Sequence, residues 1–148
     1  MDVTKTLLSE TDIFSLVYKS AKLGTDAIIS LLPKVKSQEL RSHMAKQLDG
    51  YERHAVAARH ALERMGAMAK EENLLQRTSN RIGLAWQTAM DNSTGHVAEL
   101  LIEGSNANVT DMTKLLNNYG SENGEANTLC REMMRFEMQN AEALRQYL

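Results

Sequence analysis

The 148 residues carry 17 Lys plus Arg against 19 Asp plus Glu, a formal charge of −2, with the two signs interleaved along the chain. That balance provides no basic stripe for a nucleic-acid backbone, and no apolar run approaches the roughly 18–20 residues that cross a bilayer. The lone cysteine, Cys130, excludes an internal disulfide and a thiolate metal cluster.

The opening MDVTKTLLSE lacks the basic start and long apolar stretch of a secretory leader. The expectation is therefore one soluble cytoplasmic domain over residues 1–148, with no nucleic-acid partner and no membrane partner. One proline, two phenylalanines and one tryptophan stand among many Ala, Leu, Glu and Lys residues, which predicts an all-α chain.

The first helix is predicted over about 10–32, with Ser9 as its N-cap and Asp12 three residues on. Its apolar stripe is Ile13, Phe14, Val17, Ala21, Gly24, Ile28, Leu31 and Leu32, and Pro33 closes it. Glu10, near the core phase, reads as part of a frayed terminus. A second helix over about 37–65 starts at Ser37 and ends before Gly66. Leu40, Met44, Leu48, Tyr51, Ala55, Ala58, Leu62 and Met65 recur there at steps of three and four, which keeps them on one face.

A weaker third pattern over about 69–91 has Leu75, Ile82, Trp86 and Met90, with Ser79 and Gly83 beside the seam. DNSTG (91–95) then carries turn and cap chemistry, yet Val97, Leu101, Gly104, Asn108, Met112, Leu115 and Tyr119 continue the same phase. One continuous helix of about 50 residues would be roughly 75 Å long, against roughly 40 Å for its partners. A break near residue 92 is the preferred reading, with one long helix as the alternative. After the turn YGSENGE, a last helix is predicted over about 123–147, with Ala126, Leu129, Met133, Phe136, Glu137, Asn140, Ala141, Leu144 and Leu148 in its stripe.

Short connections after the first helix and before the last imply two antiparallel hairpins joined by a long, helical crossover. That order predicts a ferritin-like, up-down antiparallel four-helix bundle.

Helical phase separates two groups of polar residues. With Leu101 at the centre of its apolar face, His96, Glu99 and Glu103 lie about 140–160° away. They cluster toward solvent or another subunit, as a surface contact rather than a ligand site. His60 and Glu63 also point outward, and His43 reads as an ion-pair partner of Glu39, four residues before it.

By contrast, Glu137 falls about 20° from the core centre of the last helix, with Asn140 beside it. Tyr51 lies in the seam of the second helix with His54 at its edge, and Asn108 adds an inward amide. Tyr51 and Glu137 both fall in the middle third of the bundle. A carboxylate in a core stripe must be paired, hydrogen-bonded or bound to a cation. Two readings follow: a metal or proton site inside the bundle, or a hydrogen-bond network that fixes helix register.

The stretches AKLGTDAIISLLPKVKSQELRSHMAKQLDGYERHAVAARHALERMG, STGHVAELLIEGS and FEMQNAEALRQYL resemble small bacterial ferritin-like proteins of uncharacterised function, from about residue 18 to the end. The resemblance implies the four-helix fold and association between bundles, without an activity. Di-iron members of that superfamily place a Glu on each of two helices and Glu-x-x-His on each of the other two. Here the corresponding positions read Tyr51-x-x-His54 and Glu137-x-x-Asn140, and Gly24, Thr25, Gly104 and Asn108 stand where inward Glu would be needed.

No cofactor is expected, and Glu137 with His54 remains a weak candidate for a single cation. The expected role is non-catalytic, through self-association as a dimer or larger homo-oligomer, or through a protein partner. The contact surface would be His96, Glu99 and Glu103, or the edge around Met134 and Met138. The alternative is a metal- or redox-handling protein with a degenerate site around Glu137. A small apolar ligand held between helices near Gly24, Gly83 and Gly104 is a third possibility.

Overall fold

A computed structural model describes residues 3–67, 93–119 and 124–148. Among these residues there are four α-helices and no strand: α1 (Val3–Leu31), α2 (Gln38–Arg64), α3 (Thr94–Tyr119) and α4 (Glu125–Leu144). The pattern over 69–91 lies outside the described residues.

Three boundaries differ from the sequence expectation. Helix α1 begins at Val3 rather than near residue 10, so Ser9 and Glu10 are interior helical positions and Ser9 is not a cap. No glycine or proline interrupts 3–23, so nothing in the chain stops the helix earlier. Pro33 falls inside a 3₁₀ turn, Leu32–Lys34, that continues from α1. Helix α4 stops at Leu144 and tightens into a second 3₁₀ turn, Arg145–Tyr147, where the last carbonyls accept shorter-range bonds.

The helix ends are built from local chemistry. The Ser37 hydroxyl accepts from the Leu40 amide at 3.2 Å and caps α2. Arg41 ties the preceding turn to α2 by donating to the carbonyls of Leu32 (2.7 Å) and Val35 (3.1 Å). Gly66, at φ +71°, ends α2: its amide bonds Glu63 and the Ala67 amide reaches back to Leu62, the paired bonds of a Schellman cap. Helix α3 starts at its own cap, with the His96 amide donating to the Ser93 hydroxyl at 3.3 Å.

Cross-helix contacts set the directions. Arg64 at the end of α2 meets Glu125 at the start of α4 (2.5 Å), and Gly50 packs on Phe136, so α2 and α4 are antiparallel. Gly95 at the start of α3 lies beside the Tyr147 carbonyl after α4, so α3 and α4 are antiparallel as well. Helices α2 and α3 consequently run the same way, and Arg64 and Thr94 stand at opposite ends of a bundle roughly 40 Å long.

The four stripes meet in one core, with Ile13, Val17, Ile28, Leu31, Leu40, Met44, Leu62, Met112, Met133 and Leu144 among its most deeply buried side chains. At mid-height the packing narrows. A Cβ on Gly24 would lie 2.5 Å from the Tyr51 ring, and one on Gly50 would overlap Phe136, whose ring meets Tyr51 edge-on at 5.1 Å. The tyrosine cannot retreat, because its hydroxyl is bonded on the far side to Glu137. Gly24→Ala is therefore expected to destabilise the chain by about 1–3 kcal/mol. Urea denaturation checks this, as a lower midpoint with an unchanged slope.

Candidate functional site

Among the described residues, one carboxylate is buried in the middle of the bundle. Glu137 is 0 % exposed, between Met133 and Ala141 on the inner face of α4. The Tyr51 hydroxyl of α2 donates to its Oε1, and the Ser105 hydroxyl of α3 donates to the same oxygen at 3.3 Å. One turn further along α3, the Asn108 amide donates to Oε2 at 2.6 Å. Behind the tyrosine, Gln47 Nε2 donates to the Tyr51 oxygen at 3.5 Å.

Helical spacing explains the grouping. Gln47 and Tyr51 are four residues apart on α2, and Ser105 and Asn108 three apart on α3, so each pair projects from one face. A small cavity of about 20 Å³ adjoins the cluster, bounded by Gly24, Tyr51, Gly104, Ser105 and Asn108 among others. That is room for one water molecule.

All three donors to Glu137 are neutral. Burial pushes its carboxyl up to about 7, although the bonds from Tyr51, Asn108 and Ser105 each pull the other way. Tyr51 is held well above the ordinary phenol range, first by burial and then by the Glu137 charge, so it remains a donor. The arrangement can hold a proton or stabilise a carboxylate with dipoles, and among the described residues the groups bonded to the carboxyl are a phenol, a hydroxyl and an amide.

Tyr51, Asn108 and Glu137 come together, and His54 does not join them. Its Nδ1 lies 2.7 Å from the Gly50 carbonyl and its ring packs obliquely on Phe136 at 5.1 Å, while the donors that meet Glu137 are Tyr51, Ser105 and Asn108. Asn140 is buried one turn beyond Glu137, with its Nδ2 unbonded. His96 lies 3.8 Å from Glu99 across a solvent-facing edge of α3, and Glu103 is exposed on the same helix.

The expected His43–Glu39 pair is not formed among the described residues. His43 is half-buried near the Tyr147 ring, its Nε2 is unbonded, and burial and then Lys46 lower its pKa. His60 and Glu63 are both exposed, as their phase predicts, and Glu63 pairs with Arg59 at 3.7 Å. Among the described residues, no group of three or more His, Cys, Asp or Glu side chains comes together in a form that would hold a metal ion.

Sequence reasoning passed over Ser105 and Gln47, both buried, whereas Thr25 is buried on α1 as its phase predicts. Phase carries the signal: Ser105 follows Leu101 by four, and Gln47 lies between Met44 and Tyr51 on the core stripe. A small hydroxyl or an amide in such a stripe draws less notice than a charge.

Compared with protein families, curated proteins and solved structures, the chain matches none.

Removing one donor leaves a buried oxygen unsatisfied. Asn108→Ala is expected to cost about 1.5–3 kcal/mol, the range for a hydrogen bond to a charged group, read by urea denaturation at slightly alkaline pH. Burial also pushes the Cys130 thiol up to about 11. It is therefore expected to resist a thiol-reactive disulfide dye in the native protein and to react fully once the chain is unfolded.

Proposed function

We propose that this chain is a ferritin-like bundle that acts without catalysis, by associating with a second copy of itself through the outer face of α4. The ferritin-like arrangement is supported by the parallel run of α2 and α3, with the end of α2 and the start of α3 at opposite ends of the bundle. A non-catalytic role is supported by the interior, where each Glu137 oxygen is already taken by donors from its own chain.

The observation that carries the association is on α4. Met138 is 58 % exposed, and with Met134, Arg135, Gln139, Glu142 and Ala143 it lines a shallow apolar recess on the helix's outer side. This set is self-complementary. A two-fold axis between Met138 and Gln139 sets Met134 of one copy opposite Ala143 of the other, Arg135 opposite Glu142, and Met138 opposite Gln139. Antiparallel α4 helices would thus bury the methionines between two reciprocal ion pairs, as an isologous interface requires. Among the described residues Glu142 pairs with exposed Arg145 at 3.1 Å, a contact worth little and easily exchanged.

Light scattering at micromolar concentration is expected to report a dimer or larger assembly. Arg135→Glu alone and Glu142→Arg alone are each expected to weaken it, and the double exchange to restore it. A strictly monomeric unmodified chain counts against the reading.

A further inference from the structure

Beyond the surface role, the polar interior supports a separate inference. We infer that Gln47, Tyr51 and Glu137 form a proton switch, in which uptake of one proton at Glu137 reverses the direction of both hydrogen bonds in the chain. The inference rests on the geometry of α2 and α4 and is independent of any association.

With Glu137 ionised, the bonds run inward: Gln47 Nε2 donates to Tyr51, and Tyr51 donates to Glu137 Oε1. This leaves the Gln47 carbonyl oxygen buried and unbonded, at 1 % exposure for the residue. A protonated Glu137 is a donor and needs an acceptor. The Tyr51 oxygen is the nearest of its three partners, while Ser105 is farther at 3.3 Å and Asn108 presents its amide nitrogen.

If the new O–H donates to Tyr51, the tyrosine's own proton must turn to another acceptor. Rotating the Gln47 amide by half a turn places its free carbonyl where Nε2 now stands. Glu137 then donates to Tyr51 and Tyr51 to Gln47, while Ser105 and Asn108 still donate to the carboxyl. One proton enters from solvent, no other bond changes partner, and no helix has to move.

The electrostatic surroundings favour the loaded state. From α2 the ionisable group facing Glu137 is Tyr51, whose phenol stays protonated in both states. His54, on the same helix, is occupied by the Gly50 carbonyl and Phe136. From α1 the wall at this height is Leu23, Gly24 and Ala27, with Asp26 exposed and Lys22 on the flank. From α3 the wall is Leu101, Gly104, Ser105 and Asn108, with Glu103 exposed. The other ionisable side chains of α4 near Glu137, namely Glu132, Arg131, Arg135 and Glu142, are exposed. Among the described residues no cation is bonded to the carboxylate, and burial raises its pKa to about 7.

The sign follows from proton linkage. An unfolded glutamate loses its proton near pH 4.3, whereas the native one keeps it toward neutrality. This contribution to stability is fully present below about pH 4.3 and is lost as pH rises through about 7. His43, with its lowered pKa, acts in the opposite sense and is common to all the variants below.

The test is the denaturation midpoint of the full chain measured from about pH 5 to about pH 9. Glu137→Gln carries the donor and acceptor of the protonated acid. It should lose the decline seen in the unmodified chain and be the more stable of the two at the alkaline end. Gln47→Leu removes the terminal acceptor of the reversed chain and should move the transition to lower pH. A pH profile shared by the unmodified chain and Glu137→Gln overturns the inference, as does a Gln47→Leu penalty that is equal at every pH.

Infrared difference spectroscopy on the unmodified chain keeps the test open if Glu137→Gln fails to fold. A buried carboxylic-acid C=O stretch should be present at the acid end and absent at the alkaline end. No such band at the acid end overturns the inference.

Discussion

Burying a carboxylate at the centre of a helical bundle is the constraint around which the middle of this structure is arranged. Glu137 is fully buried, so its oxygens must be met by dipoles, and neighbouring helices of its own chain supply them. Tyr51 supplies one from α2, while Ser105 and Asn108 supply two from α3. Each bond has a narrow range of productive length and angle, so together they fix the axial register of α4 against both neighbours. Apolar contacts alone would tolerate a shift along the seam, whereas this network would lose a donor.

The consequences spread outward from the tyrosine. For its hydroxyl to reach Glu137, the Tyr51 ring must lie across the path of α1, and only a residue without a side chain leaves that space, hence Gly24. Phe136 meets the ring edge-on and in turn requires Gly50 on α2. Two glycines inside helices carry a backbone-entropy cost of about 0.5–1 kcal/mol each relative to alanine. Here that cost accompanies close packing around a polar group that the core would otherwise exclude.

Helix α4 presents different chemistry on its two sides. Glu137 faces the centre and the adjacent Met138 faces solvent, because consecutive residues on a helix point about 100° apart. The inner side is polar where an apolar stripe is expected, and the outer side exposes a large thioether where a charge is expected. The surrounding surface ion pairs, such as Arg53–Asp49 and Arg59–Glu63, are exposed i,i+4 contacts that add little to stability. Departures from ordinary patterning on α4 therefore mark the interior and the surface that distinguish this bundle from a generic one.

Much of this was legible in the residues themselves. Three- and four-residue spacings placed Ile13, Met44, Leu101 and Met133 on core faces, and the same arithmetic put Glu137 inside the stripe. Ser37, Gly66 and the DNSTG stretch marked helix ends by local hydrogen-bond chemistry that needs no distant partner. The start of α1 was not legible, since a cap-like Ser9 within a run of helix-compatible residues does not by itself end or begin a helix. Partners were not legible either. Which neutral groups meet Glu137, why His54 turns to the Gly50 carbonyl, and why His43 leaves Glu39 for a site near Tyr147 depend on the relative heights and rotations of different helices. Periodicity determines which way a side chain faces; only packing of one helix against another decides what it meets there.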